Sequence, residues 1–136
     1  MNANLRRALF SAVIAVILIA FGAGLAAAHH STAPFDTTTS QTLSGTVKQV
    51  DWTNPHTWVW IDVPTDKNGV DTWGFEGMSP NYLGRRGWTK STLKPGDKIS
   101  VTFRPLRDGS KGGMFVSAAR PTGEILRMTG EPTDKY

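Results

Sequence analysis

Residues 43–63 read LSGTVKQVDWTNPHTWVWIDV, and this stretch decides the fold. Its second half, residues 57–63, is rich in β-branched and aromatic side chains, which favours a β-strand. Successive side chains of a strand point to opposite faces. The two sets are Val59, Ile61 and Val63 on one face, and Trp58, Trp60 and Asp62 on the other. Because both faces are largely apolar, we predict a central strand of a sheet.

Shorter strand signals surround this segment. Further strands are predicted at 43–50, 71–76, 99–103, 114–118 and 125–128. Asn68-Gly69 is a strong hairpin signal, and Ser79-Pro80 is typical of a helix start, with the short helix ending near residues 86–87. Five or six short strands with one short helix predict an all-β fold, specifically a small OB-like five- to six-stranded barrel. A small open sandwich is the alternative.

The N-terminal segment has the pattern of a secretory signal. Arg6 and Arg7 precede an almost unbroken apolar run at 9–25, and three alanines end at Ala28. We therefore predict a signal helix at 1–28, an arm at 29–42, the barrel at 43–130 and a tail at 131–136. Cleavage implies a periplasmic or secreted protein. An uncleaved helix anchored to the inner membrane is the alternative, since about 20 apolar residues span a bilayer.

The charge balance argues against a nucleic-acid partner. Two of the 15 Lys and Arg residues lie in the predicted signal, whereas none of the 11 Asp and Glu residues does. No stretch carries the clustered basic residues that nucleic-acid binding needs. The chain has no cysteine, so an oxidising compartment is allowed but no disulfide is available. Stability must therefore come from packing, to which five Trp and six Phe residues contribute.

The three histidines suggest a metal site. A cut after Ala28 would leave the α-amine and ring of His29 free to chelate Cu(II), with His30 beside it. His56 follows the stiff Asn54-Pro55 dipeptide, which would hold its ring at a fixed place. We predict a copper site formed by His29, His30 and His56. Weaker candidate ligands are Glu76, Met78 and Met114; the alternative is that the histidines are structural and these methionines pack.

Aromatic and basic residues suggest a second kind of site. The candidates for a surface that binds a small apolar or anionic ligand are Trp58, Trp60, Tyr82, Arg85, Arg86 and Trp88. The alternative for most of the tryptophans is a place in the core.

The chain offers little for catalysis. It has no cysteine nucleophile, no Gly-x-Ser-x-Gly elbow and no paired carboxylates, so we predict a binding protein rather than an enzyme. The predicted function is an exported β-barrel protein that binds copper. The alternative is a non-metal ligand-binding module or an accessory subunit of a membrane-associated system. A metal ion, a small molecule or a protein is the expected partner.

Several motifs also resemble a known family. They are AHHSTAPFD at 28–36, the 43–63 block, WGFEGMSPNYLGRRGW at 73–88, LKPGDKISVTFRPLRDGSKGGM at 93–114 and PTGEIL at 121–126. Together they resemble a family of small exported bacterial proteins catalogued as a domain of unknown function. The resemblance implies export and a β domain, and it implies no established activity.

Overall fold

The computed structural model describes Asn2 and residues 32–129. The predicted signal segment (apart from Asn2), His29, His30 and the tail at 131–136 lie outside the described residues. Within the described part of the chain, no helix is both long enough and apolar enough to cross a bilayer.

The described residues form six strands and one short helix. In chain order these are β1 (Gln41–Asp51), β2 (Trp58–Pro64), β3 (Val70–Glu76), α1 (Pro80–Gly84), β4 (Lys98–Pro105), β5 (Gly112–Ala119) and β6 (Ile125–Arg127). Each strand lies where the sequence predicts it, within two residues at either end. β1 begins at Gln41, two residues before the predicted start of the barrel.

Both ends of α1 are set by local sequence. The Ser79 hydroxyl accepts a hydrogen bond from the Tyr82 amide, and Pro80 occupies the first turn. At the other end Gly87 has a φ of 84°, and the Trp88 amide donates to the Leu83 carbonyl. This is a Schellman motif, in which glycine takes the left-handed conformation that ends a helix. The regular helix therefore stops at Gly84, slightly before the predicted end.

The strands close into a barrel. Antiparallel pairing gives the order β3-β2-β1-β4-β5-β6, and a parallel pairing of β3 with β5 closes a ring of five strands. β6 extends the sheet from the second half of β5. The helix lies between β3 and β4 in the chain. The closed ring confirms the predicted small barrel and excludes the open sandwich.

The barrel closes where two glycines meet. Gly74 of β3 pairs with Gly112 of β5. A Cβ atom on Gly112 would lie 2.4 Å from the Gly74 carbonyl oxygen, so the backbones approach more closely than side chains would allow. Glycine in a strand often marks such an approach.

The inward faces of the strands form one core. Val59 and Ile61 of β2, which the alternation places on one face, are fully buried. Phe75, Phe103 and Phe115 are also fully buried, and the ring centroids of Phe75 and Phe103 are 4.8 Å apart. With one face of β2 packed inside the barrel, the opposite face carries its two tryptophans outward.

The segment before β1 is held against the end of β4. Phe35 forms a bridge with Leu106, and the Asp36 amide donates to the Pro105 carbonyl. Hydrogen bonds from Thr38, together with one from the Thr39 hydroxyl, lower the pKa of Asp36 to about 2. The predicted irregular arm is thus attached to the barrel from Phe35 onward.

Candidate functional site

A row of outward-facing side chains crosses the barrel beside the end of β1. Asp51 of β1 lies opposite Trp58 of β2, and Trp58 lies opposite Glu76 of β3. Glu76 in turn lies beside Met114 of β5. Directly opposed residues share one face of a sheet. The Trp58 indole therefore has a carboxylate on the neighbouring strand to each side.

Trp60 occupies the next outward position on β2 and stacks on Trp58. Their ring centroids are 5.6 Å apart and their planes differ by 17°. The Trp60 ring fills the space above Gly74, where a Cβ atom would lie only 2.4 Å from its Cζ3. Its Nε1 donates to Asp51 Oδ2 at 2.9 Å. We call these two residues the Trp58–Trp60 pair; both are partly exposed.

His56 lies just before β2 and contacts Glu76, a member of the row that crosses the barrel beside Trp58. Its Nδ1 contacts Glu76 Oε1, and the two side chains are 37% and 23% exposed. Backbone hydrogen bonds of the adjacent Thr57 with Gly77 and Met78 fix this corner, which follows a cis Asn54-Pro55 peptide.

The structure brings only part of the predicted copper site together. His56 and Glu76 are in contact, and Met114 neighbours Glu76, whereas Met78 packs against the core. His29 and His30 lie outside the described residues. Over the chain from Thr32 to Thr129, no cluster of three or more His, Cys, Asp or Glu side chains could hold a metal ion.

The predicted aromatic and basic surface divides into separate parts. The Trp58–Trp60 pair faces outward, but Trp88 is only 5% exposed and its indole Nε1 donates to the Arg127 carbonyl at 3.0 Å. The expectation that Trp88 lines a ligand surface is therefore wrong: the Schellman turn directs it into the core.

Arg86 lies over the Tyr82 ring, 3.8 Å from its centroid, and Arg85 is exposed at the helix end.

Two surface depressions lie away from the Trp58–Trp60 pair. One, of about 390 Å³, lies beside Ser44, Lys98 and Arg120. The other, of about 490 Å³, lies between the arm and Trp73. Neither lining includes the Trp58–Trp60 pair or the carboxylates beside it.

Sequence reasoning missed Asp51 and Gly74. A bulge in β1 between Val47 and Gln49 shifts the pairing, and this shift places Asp51 opposite Trp58. The signal for Gly74 was present, because a glycine inside an alternating strand indicates a close approach. The approaching group is the Trp60 ring.

The comparisons with known proteins agree with the earlier resemblance. A family model described as "Family of unknown function (DUF6152)" matches residues 16–116. No curated protein matches the chain. Because the matched segment covers well over half of the 136 residues, the chain belongs to the family of unknown function DUF6152.

Proposed function

We propose that this domain is an exported binding module that takes its ligand on the outer face of β1–β3, against the Trp58–Trp60 pair. The observation that carries the proposal is the pair itself: two large aromatic rings stacked on the outside of a barrel whose core is already filled by other residues. Large apolar groups grouped on a surface are typical of interaction sites.

The way the pair is held supports a binding role. The Trp60 ring is fixed by its hydrogen bond to Asp51 and by the stack on Trp58. A side chain that is already ordered loses little conformational entropy when a ligand arrives, so more of the contact energy appears as affinity. In OB-like barrels the face of the second and third strands commonly binds ligands, which agrees with this location by analogy.

Removing the Trp58 ring should weaken ligand binding strongly. We expect Trp58→Ala to raise the dissociation constant at least about tenfold, because binding hot spots, in which Trp is enriched, contribute about 2 kcal/mol or more. The measurement is isothermal titration calorimetry of the purified protein with choline, glucose and indole in turn. Trp73→Phe, which removes a tryptophan from the inner face, is the matched control. The proposal fails if no probe binds, or if a bound probe tolerates Trp58→Ala.

Copper binding at His56 is a second candidate function. It is favoured by the contact of His56 Nδ1 with Glu76, since metal-binding histidines usually give their second nitrogen to a carboxylate or carbonyl partner. That contact leaves Nε2 for a metal. The remaining ligands would come from His29 and His30 at a processed N-terminus, and Met114 would add a soft sulfur ligand suited to Cu(I).

The copper site predicts a specific titration result. We expect the processed protein to bind Cu(II) at micromolar concentration or more tightly, and His56→Ala to weaken binding at least about tenfold. Isothermal titration calorimetry measures both. Thr102→Ala, on the outer face of β4, serves as the control. Unchanged affinity in both His56→Ala and His29→Ala would exclude this site.

A further inference from the structure

We infer that the ligand of the Trp58–Trp60 pair is a small organic cation of the methylated ammonium class. This inference rests on the proposed function and adds the charge of the ligand to it. The reason is the arrangement around Trp58, where an aromatic ring lies in one row between the carboxylates of Asp51 and Glu76.

The two carboxylates are close enough to act on one ligand. Opposed residues on adjacent strands have Cβ atoms about 4.5–5.5 Å apart. A ligand resting on the Trp58 ring would therefore have one negative group on each side at short range. At a partly exposed surface such attractions are weakened by water but not removed, since they act within one Debye length.

The side chains that donate hydrogen bonds to Asp51 carry no positive charge. The carboxylate accepts hydrogen bonds from Trp60 Nε1 and from the Gln49 side-chain amide. The partner of Glu76 is His56, which contributes a positive charge only when protonated.

The permanent cations of this part of the barrel are directed to other partners. Lys48 Nζ lies 3.5 Å from an Asp62 oxygen and 2.9 Å from the Thr72 hydroxyl. Arg104, opposite Met114, donates to the Thr37 carbonyl. The charged side chains directly opposite Trp58 are therefore the two carboxylates, and Arg104 lies two strands beyond Glu76.

The chemistry of this surface suits a methylated ammonium ion better than a sugar. Tryptophan gives the strongest cation–π attraction of the aromatic side chains, and methylated ammonium ions are recognised by aromatic groups. Such an ion needs negative charge and aromatic surface, whereas a sugar needs matched hydrogen-bond donors and acceptors. Trp58 with its two carboxylate neighbours provides the first combination.

Choline and its uncharged analogue 3,3-dimethylbutan-1-ol test the inference directly, because they have nearly the same shape. We expect the full protein to bind choline at least about fivefold more tightly than the neutral analogue, measured by tryptophan fluorescence. Glu76→Gln and Asp51→Asn should each weaken choline binding without changing the weak binding of the analogue. Asp66→Asn, in the exposed β2–β3 turn, removes the same charge elsewhere and should have no effect.

The outcomes separate this inference from the proposed function. Equal affinity for choline and the neutral analogue, or binding of glucose without choline, overturns the cation inference while the binding module stands. Loss of choline affinity in Asp66→Asn equal to that in Glu76→Gln overturns it as well, because the effect would then come from net charge. If neither choline, glucose, indole nor the neutral analogue binds, both proposals fail. Asp51 also holds the Trp60 ring, so Asp51→Asn disturbs that ring as well as removing a charge. The decisive comparison among folded variants is therefore Glu76→Asp with Glu76→Gln. Choline binding should be stronger in Glu76→Asp, which keeps the carboxylate.

Discussion

Replacing Phe75 with alanine should lower the free energy of unfolding by about 3–5 kcal/mol, the usual cost of removing a buried phenylalanine ring. Phe75 is fully buried in β3, and its ring lies 4.8 Å from that of Phe103 and 6.3 Å from that of Phe115, measured between centroids. It also directly follows Gly74 at the pairing that closes the barrel. The cavity would therefore open beside the closure.

Urea unfolding followed by circular dichroism measures this loss. Val70→Ala is the matched control: it removes an apolar side chain from the same strand, but Val70 is 62% exposed. We expect the control to stay within about 0.5 kcal/mol of the parent protein. A cost below about 1 kcal/mol for Phe75→Ala would contradict the description of a single core packed around the three phenylalanines.

The local parts of the fold followed from the sequence, while the closure did not. Alternation at 57–63 predicted which side chains of β2 share a face, and Ser79-Pro80 predicted the helix start. Both depend on neighbours a few residues away. The parallel pairing of β3 with β5 joins residues nearly forty positions apart, and no short-range pattern specifies it. The number and order of the strands were enough to predict a barrel, although the pairing that closes it was not predicted.

For the candidate site, too, the sequence predicted what depends on near neighbours and missed what depends on distant ones. Alternation was enough to place Trp58 and Trp60 on a face opposite the aliphatic residues. Composition alone could not separate them from Trp88, because a tryptophan after a short helix is compatible with either side; the Schellman turn decides. Asp51 joined the site only through the bulge in β1. The partner of His56 also became visible only in three dimensions, as Glu76 lies on another strand.

Gly74→Ala should displace the Trp60 ring and disable the Trp58–Trp60 pair. The new Cβ would lie 2.4, 2.8 and 2.9 Å from three carbon atoms of that ring, all well inside contact distance. The ring is held by Asp51 and by the stack on Trp58, so moving away costs those contacts. We expect a loss of about 1–3 kcal/mol in the free energy of unfolding. A changed near-UV circular dichroism spectrum and weaker ligand binding should accompany it.

Two comparisons identify the Trp60 ring as the cause. Gly84→Ala adds the same methyl group at the end of α1, where nothing lies within 4 Å, and should leave both the spectrum and the binding unchanged. In a Trp60→Ala background, Gly74→Ala should cost far less, because the colliding ring is gone; the difference is the coupling energy of a double-mutant cycle. If Gly74→Ala costs the same in both backgrounds, the glycine is needed for the approach of β5 instead. In that case the arrangement of the aromatic pair does not depend on the missing side chain at position 74.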